Sequence, residues 1–227
     1  MSTSHASRLR EKALRDPAVG ILVLLVLASV VVAFLEPTFA TTGNITNIIN
    51  AMMTISFLAI GMTVVLIAGG LDLSVGSVMG LSAATAATSL SNGMPMVVAF
   101  LLALGVGTGI GLVNGLLITK LGIPDFIATL AMLSLAGGVL LYWTQGVPIL
   151  GYMNDTYYYI GGLRRILGPI TIPMLLVIVV AVTVSVVLKT TKFGVKLYAV
   201  GSSPTGALNA GVHVDRIKIA AYAISGL

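Results

Sequence analysis

Between Val19 and Leu188 the chain carries only seven charged side chains, Glu36, Asp72, Lys120, Asp125, Asp155, Arg164 and Arg165. They leave uncharged windows at residues 17–35, 37–71, 73–119, 126–154 and 166–188, which are 19, 35, 47, 29 and 23 residues long. A hydrocarbon layer of ~30 Å is crossed by about 20 apolar residues at ~1.5 Å of helical rise each. Every window is close to that length or exceeds it. Across 227 residues, 57% are apolar and 8% charged, where an ordinary soluble domain has roughly 25% charged residues. So few charges cannot cover a water-facing surface, which excludes a soluble enzyme and makes lipid the expected solvent.

Trimming the polar stretch TFATTGNITN and splitting the third window at the SNGMP turn leaves six predicted spans, near residues 18–35, 48–69, 74–90, 96–118, 126–143 and 170–188. In lipid, backbone polar groups must pair within the segment, so spans are helices or closed barrels. Runs such as ILVLLVLASVVVAFL are apolar on every side and lack the alternation of barrel strands. The predicted fold is all-α, a polytopic membrane protein of six complete transmembrane helices plus the start of a seventh. Residues 1–17 form its basic N-terminal segment and residues 18–227 its membrane domain. Basic residues collect on the cytoplasmic side of short connections. With the N-terminus inside, Arg8, Arg10, Lys12, Arg15, Lys120, Lys189, Lys192, Lys196, Arg216 and Lys218 are cytoplasmic, and only Arg164 and Arg165 are outside. A cleaved signal peptide would need a shorter apolar stretch and no following spans. The RLREKALR segment, interrupted by acids, suits anionic lipid rather than nucleic acid.

Several motifs carry more specific expectations. Gly107, Gly111 and Gly115 share one helical face, and Gly105 and Gly109 form a second small-residue row. Glycines spaced by four let helix backbones approach closely, so the first row predicts helix packing. GVGTGIG is no nucleotide loop, because the strand and acidic residue of a βαβ unit are missing. GGLDLSVG interrupts an apolar run with the lone acid Asp72. It fits a helix start in which Asp72 caps N–H groups near Ser74 and Val75. It also fits a broken helix whose backbone lines a substrate route. Asp72, Ser74, Asn114 and Thr129 are the candidate pathway residues. Uncharged groups such as Asn114, Thr119, Thr129 and Ser134 suit a neutral polyol, and they equally join helix to helix. Tyr142, Trp143, Tyr152, Tyr157, Tyr158 and Tyr159 suit an interfacial aromatic belt. A short helix over Pro204–Asn209, entered by Ser202–Ser203, fits helix-start rules and offers a surface to a soluble partner. The sequence has no Cys, and no catalytic residues or metal ligands are expected.

GMTVVLIAGGLDLSVGS (61–77), NGLLITKLGIPDFIATLAML (114–133), QGVPI (145–149) and FGVKLYAVGSSPTGALNAGV (193–212) together resemble the permease subunits of bacterial ABC sugar importers of the ribose, xylose and galactose type. The resemblance implies a multi-pass protein of the inner membrane with a cytoplasmic N-terminus. It also implies a second permease copy, a periplasmic sugar-binding protein and a cytoplasmic ABC ATPase, with membrane lipid around the spans and no nucleic acid. Residues 193–215 resemble the family's coupling segment, with Gly194, Tyr198, Gly201, Pro204, Ala207 and Gly211 matching its motif. Ser203 stands where Asn is common, Gly206 where Ala is common, and Gly137 where Arg is common. Family members continue through further spans after Ser225–Leu227, so a fragment is expected, with the glycine rows partly unmatched. The chain lacks GxxxxGK[ST], so ATP and Mg belong on the partner and no cofactor is expected on this chain. The alternatives are a branched-chain amino-acid permease and a self-contained secondary transporter. The latter places ionisable ligands deep in its spans, whereas His5 and His213 lie outside those predicted here.

Because no native Cys competes, single-cysteine labelling reads the topology directly. A thiol from Thr205→Cys should react with an impermeant maleimide only in inverted vesicles, and one from Asn154→Cys only in intact spheroplasts. The reverse pattern rejects the orientation.

Overall fold

The computed structural model describes residues 17–150, 165–167 and 170–227. The expectations for Arg8, Arg10, Lys12, Arg15, Tyr152, Tyr157, Tyr158, Tyr159 and Arg164 lie outside the described residues. Among the described residues the helices are α1 (Pro17–Leu35), α2 (Thr42–Ile67), α3 (Val75–Ser91), α4 (Met96–Lys120), α5 (Asp125–Thr144), α6 (Ile172–Thr190), α7 (Lys192–Ser202), α8 (Pro204–Asn209) and α9 (Val214–Gly226). An antiparallel ladder, β1 (Arg165–Leu167) with β2 (Ile170–Thr171), pairs Arg165 with Thr171 and Leu167 with Ile170 before α6. Apart from this five-residue ladder the described elements are helices, in keeping with the all-α expectation.

Thr42–Ile67, Met96–Lys120, Asp125–Thr144 and Ile172–Thr190 are each long and apolar enough to cross a membrane. The described apolar part of α1, Val19–Leu35, is shorter. Helix α3 has 17 residues rich in Ala, Ser and Thr. Among the described residues, four of the six expected spans thus meet the length and hydropathy a bilayer demands. Helix α2 begins at Thr42 rather than near residue 48, because its polar start satisfies itself. The Thr46 hydroxyl donates to the Thr42 carbonyl at 2.7 Å and the Asn44 amide to the Phe39 carbonyl at 2.9 Å. Pro95 and Pro124 immediately precede α4 and α5, where their fixed φ suits a helix entry. Gln145 (φ 54°) and Gly146 (φ 70°) end α5 in the left-handed region.

Two compact units are distinguished, residues 1–49 and 50–227. In the first, α1 is exposed around its circumference, with Ile21, Leu24, Leu27 and Val31 all uncovered. In the second, α4 is central: it packs on α3 and α9, while α5 packs on α3 and α4. The reason is the glycine row. A Cβ on Gly107 would overlap the Gly226 carbonyl, one on Gly111 the Tyr222 carbonyl, and one on Gly115 would lie 2.8 Å from the Ile219 Cα. The partners run backwards along α9, so the two helices cross antiparallel with backbone against backbone. The chain's own α9 thus matches this row, while added Cβ atoms at Gly105 and Gly109 would meet nothing within 4 Å. A second core joins Val64 and Ala68 to Leu188, Leu197, Val200, Ala207, Ile217 and Ala221, linking the end of α2 to α6, α7, α8 and α9.

The two glycine rows give an internally controlled test. Gly111→Val should destabilise the folded protein by about 1–3 kcal/mol through overpacking, read as a lowered melting temperature in detergent. Gly109→Ala should be neutral or stabilising by up to ~1 kcal/mol, because only helix propensity changes. Equal effects at both positions would refute the packing assignment.

Candidate transport site

The α2–α3 connection, residues 68–74, lies where four helices converge. Helix α2 closes with the Gly70 N–H donating to the Val65 carbonyl at 3.0 Å. Gly69 adopts φ +75°, which a side-chain-bearing residue rarely takes, and its position faces the Gly201 Cα. The loop is then held from outside at Leu71, Asp72 and Ser74. The Leu71 N–H donates to Asp125 Oδ2 at 2.7 Å, from the first turn of α5. The Leu71 carbonyl accepts the Tyr222 hydroxyl of α9 at 3.1 Å.

Asp72 follows and is buried, at 2% exposure. Its Oδ1 accepts the Ser74 N–H at 3.0 Å and the Ser74 hydroxyl at 2.6 Å, and its Oδ2 accepts the Ser225 hydroxyl at 3.1 Å. No ion pair reaches it among the described residues. The first of these bonds serves the N-terminal end of α3 directly. Because the Ser74 proton is committed to Asp72, its oxygen accepts from Asn114 Nδ2, at 2.9 Å. That choice fixes the amide orientation and leaves Asn114 Oδ1 buried without a partner, as is Ser82 Oγ. A buried acceptor left without a donor costs about 1–3 kcal/mol.

Of the four candidate pathway residues, Asp72, Ser74 and Asn114 therefore form one connected cluster that ties α3 and α4 to α9. Thr129 is fully buried as well, but its hydroxyl donates to the Asp125 carbonyl of its own helix at 2.8 Å, and no hydrogen bond joins it to the cluster. Asp125, Tyr222 and Ser225 belong to the assembly and escape sequence reasoning. Tyr222 and Ser225 lie one turn apart and so share a face, but nothing local in the chain announces a contact with residues some 150 positions earlier. The set combines two carboxylates with hydroxyl and amide groups, joined by hydrogen bonds. No group of three or more His, Cys, Asp or Glu side chains that could hold a metal ion occurs among the described residues.

The coupling candidates sort into two kinds. Gly194, Gly201 and Ala207 are packing residues: a Cβ at Gly194 would overlap the Leu188 carbonyl, one at Gly201 the Ile67 carbonyl, and Ala207 is buried. Tyr198, Pro204 and Gly211 are exposed, Gly211 with φ +77°. Helix α7 is absent from the sequence reading because glycines at 194 and 201 argue against a helix. It forms because Thr191 caps it, accepting the Gly194 N–H at 3.3 Å, and because Gly194, Leu197 and Val200 bury one face. Helix α8 is capped by Ser203, which accepts the Gly206 N–H at 3.0 Å. Beside it lies a groove of about 500 Å³ lined by Lys120, Pro204, Thr205, Leu208, His213 and Arg216, among others. Lys120 Nζ meets Asp215 Oδ2 at 2.6 Å across the same region, joining the end of α4 to the start of α9.

Residues 44–227 match the family described as branched-chain amino acid transport system / permease component. The ribose import permease protein RbsC of Bacillus subtilis (strain 168) is 36% identical over 211 residues, covering 93% of this chain and 64% of that protein. RbsC of Escherichia coli (strain K12) is 34% identical, covering 92% and 65%. The autoinducer 2 import system permease protein LsrC of Yersinia enterocolitica is 36% identical over 182 residues, covering 80% and 50%. The chain thus spans just under two-thirds of the length of the ribose permeases it matches. No solved structure matches it.

Asp72→Asn and Ser225→Ala should each lower stability, by about 1.5–3 kcal/mol for each bond to the carboxylate that is lost. A double-mutant cycle, read by thermal unfolding in detergent, should return a coupling of about 0.5–3 kcal/mol between the two positions. Strict additivity would show that the hydroxyl does not hold the carboxylate.

Proposed function

The chain belongs to the branched-chain amino acid transport system / permease component family, and on that premise we propose that it is the membrane-spanning permease subunit of an ATP-driven importer. Its cargo in this reading is a neutral monosaccharide delivered by a periplasmic binding protein. The observation that carries the reading is the ordered α7–α8 elbow, which presents Pro204, Thr205 and Leu208 outward while glycine contacts fix it to α2 and α6. Such a small, rigid, exposed helix suits docking of a soluble motor. The chain itself has no phosphate-cradling loop, so hydrolysis of ATP with Mg is assigned to a separate ATPase. The proposed assembly pairs two permease copies in the bacterial inner membrane, N-terminus inside. In it α1 and α3 join the four longer helices as spans, and α9 begins a seventh.

The sugar assignment is supported by the names of the relatives, two of which import ribose, and by a buried polar cluster that contains no cation. A zwitterionic amino acid would call for charges of both signs, so the amino-acid alternative is the weaker reading despite the family's description. The path is assigned to the neighbourhood of Asp72, Ser74, Asn114 and Thr129.

Uptake of labelled ribose into vesicles, with the binding protein outside and ATPase inside, tests the reading. Transport should require ATP and both partners. Leu208→Asp, at a position 61% exposed, should reduce ATPase co-purification at least about tenfold, the loss typical of a truncated or mismatched interface anchor, without lowering the melting temperature. Uptake driven by a proton or sodium gradient without ATPase would overturn the proposal in favour of a secondary transporter.

A further inference from the structure

A crevice of about 250 Å³ opens between α2 and α6, walled by Ile60 and Ile67 on one side and Val184 and Leu188 on the other. Its end is closed by two side chains of different character, Tyr198 from α7 and Lys189 from the last turn of α6. The walls are mostly apolar along the direction of the spans, as an acyl chain requires, with the Ser185 and Thr63 hydroxyls the polar groups among them. The Thr63 hydroxyl, which also borders the crevice, donates to the Ala59 carbonyl of its own helix at 2.6 Å and presents no free proton to it.

Lysine in the last turn of a helix ordinarily serves the terminal carbonyls. In this turn the Thr190 hydroxyl donates to the Val186 carbonyl at 2.7 Å and the Thr191 hydroxyl to the Val187 carbonyl at 2.6 Å. Lys189 is exposed and makes no hydrogen bond or ion pair among the described residues. Lys192 and Lys196 continue the positive charge along the exposed side of α7, and the sequence has no acidic residue from 156 to 214 to neutralise them. A tyrosine places its ring at a lipid–water boundary, and lysine stems lie along apolar surface with the ammonium at the headgroup level. Basic pockets between membrane helices suit anionic headgroups.

We infer that the crevice between α2 and α6 is a binding site for one anionic phospholipid. An acyl chain lies against Ile60, Ile67, Val184 and Leu188, Tyr198 packs at the glycerol level, and the phosphate meets Lys189 with Lys192 beside it. The occupant is a lipid rather than a free anion because the cation stands at the mouth of an apolar channel, so neither half of the site is complete without the other half of the ligand. The inference needs only insertion in a membrane. A failed transport assay leaves it standing, and its own failure leaves the permease reading intact.

Native mass spectrometry of the full chain released from detergent, titrated with phosphatidylglycerol and phosphatidylcholine of identical acyl chains, tests it. Phosphatidylglycerol should be retained about fivefold more strongly, the preference one lysine near an anionic surface supplies. Lys189→Gln should abolish that preference and Lys189→Arg should keep it. Arg216→Gln, the same change in net charge away from the crevice, should leave it unaltered. Ala181→Phe, which fills the channel, should reduce retention of both lipids, and inorganic phosphate should not displace them. Equal retention of the two lipids by the unaltered protein overturns the inference, as does an unchanged preference in Lys189→Gln. A disulfide between two copies of the chain through Ala181→Cys would assign the crevice to a protein interface and overturn it too.

Discussion

Direct backbone contact between α4 and α9 is the constraint on which the second unit depends. Lipid tails are as apolar as leucine, so helices in a bilayer gain little from hiding side chains and must gain from close packing. Gly107, Gly111 and Gly115 supply it by placing no atom between their helix and the Gly226, Tyr222 and Ile219 backbone. Once α9 is drawn that close, its Tyr222 and Ser225 arrive at the α2–α3 loop, and the polar cluster can form. The apolar contact and the hydrogen-bond network are therefore one device: the glycines set the distance, and the hydroxyls fix the register.

The cluster also illustrates how a carboxyl group is tolerated in such surroundings. Asp72 receives two donors from Ser74, two residues away, and a third from Ser225 on a distant helix. A buried charged group is sustained by pairing or by hydrogen bonds, and here the second route is taken. The arrangement leaves one acceptor, Asn114 Oδ1, unmatched.

Much of the fold was legible in the sequence because charge marks membrane depth so sharply. The uncharged windows locate α2, α4, α5 and α6, and helix-start signals locate α8 at Pro204–Asn209 without error. Length criteria were less informative for α3, whose Ala, Ser and Thr content suits packing against α4 and α5 more than exposure to lipid. Helix α7 was illegible for an opposite reason: its glycines lower intrinsic helicity, yet they are what allows it to seat against Leu188 and Ile67. Tertiary contact overrode propensity. At the candidate site the unusual residues Asp72, Ser74 and Asn114 stood out by type, because a polar group in an apolar run is conspicuous. Their partners did not. Tyr222 and Ser225 lie in a segment of mixed character where a hydroxyl is ordinary, and only the folded chain reveals what they hold.

Gly201 touches both the last carbonyl of α2 and the neighbourhood of Gly69 with no side chain interposed. A contact made of side chains can absorb a displacement by changing rotamers, whereas a contact made of main chain cannot. The elbow that carries α8 and the loop that carries Asp72 therefore meet main chain to main chain, and a side chain at Gly201 would push the two apart.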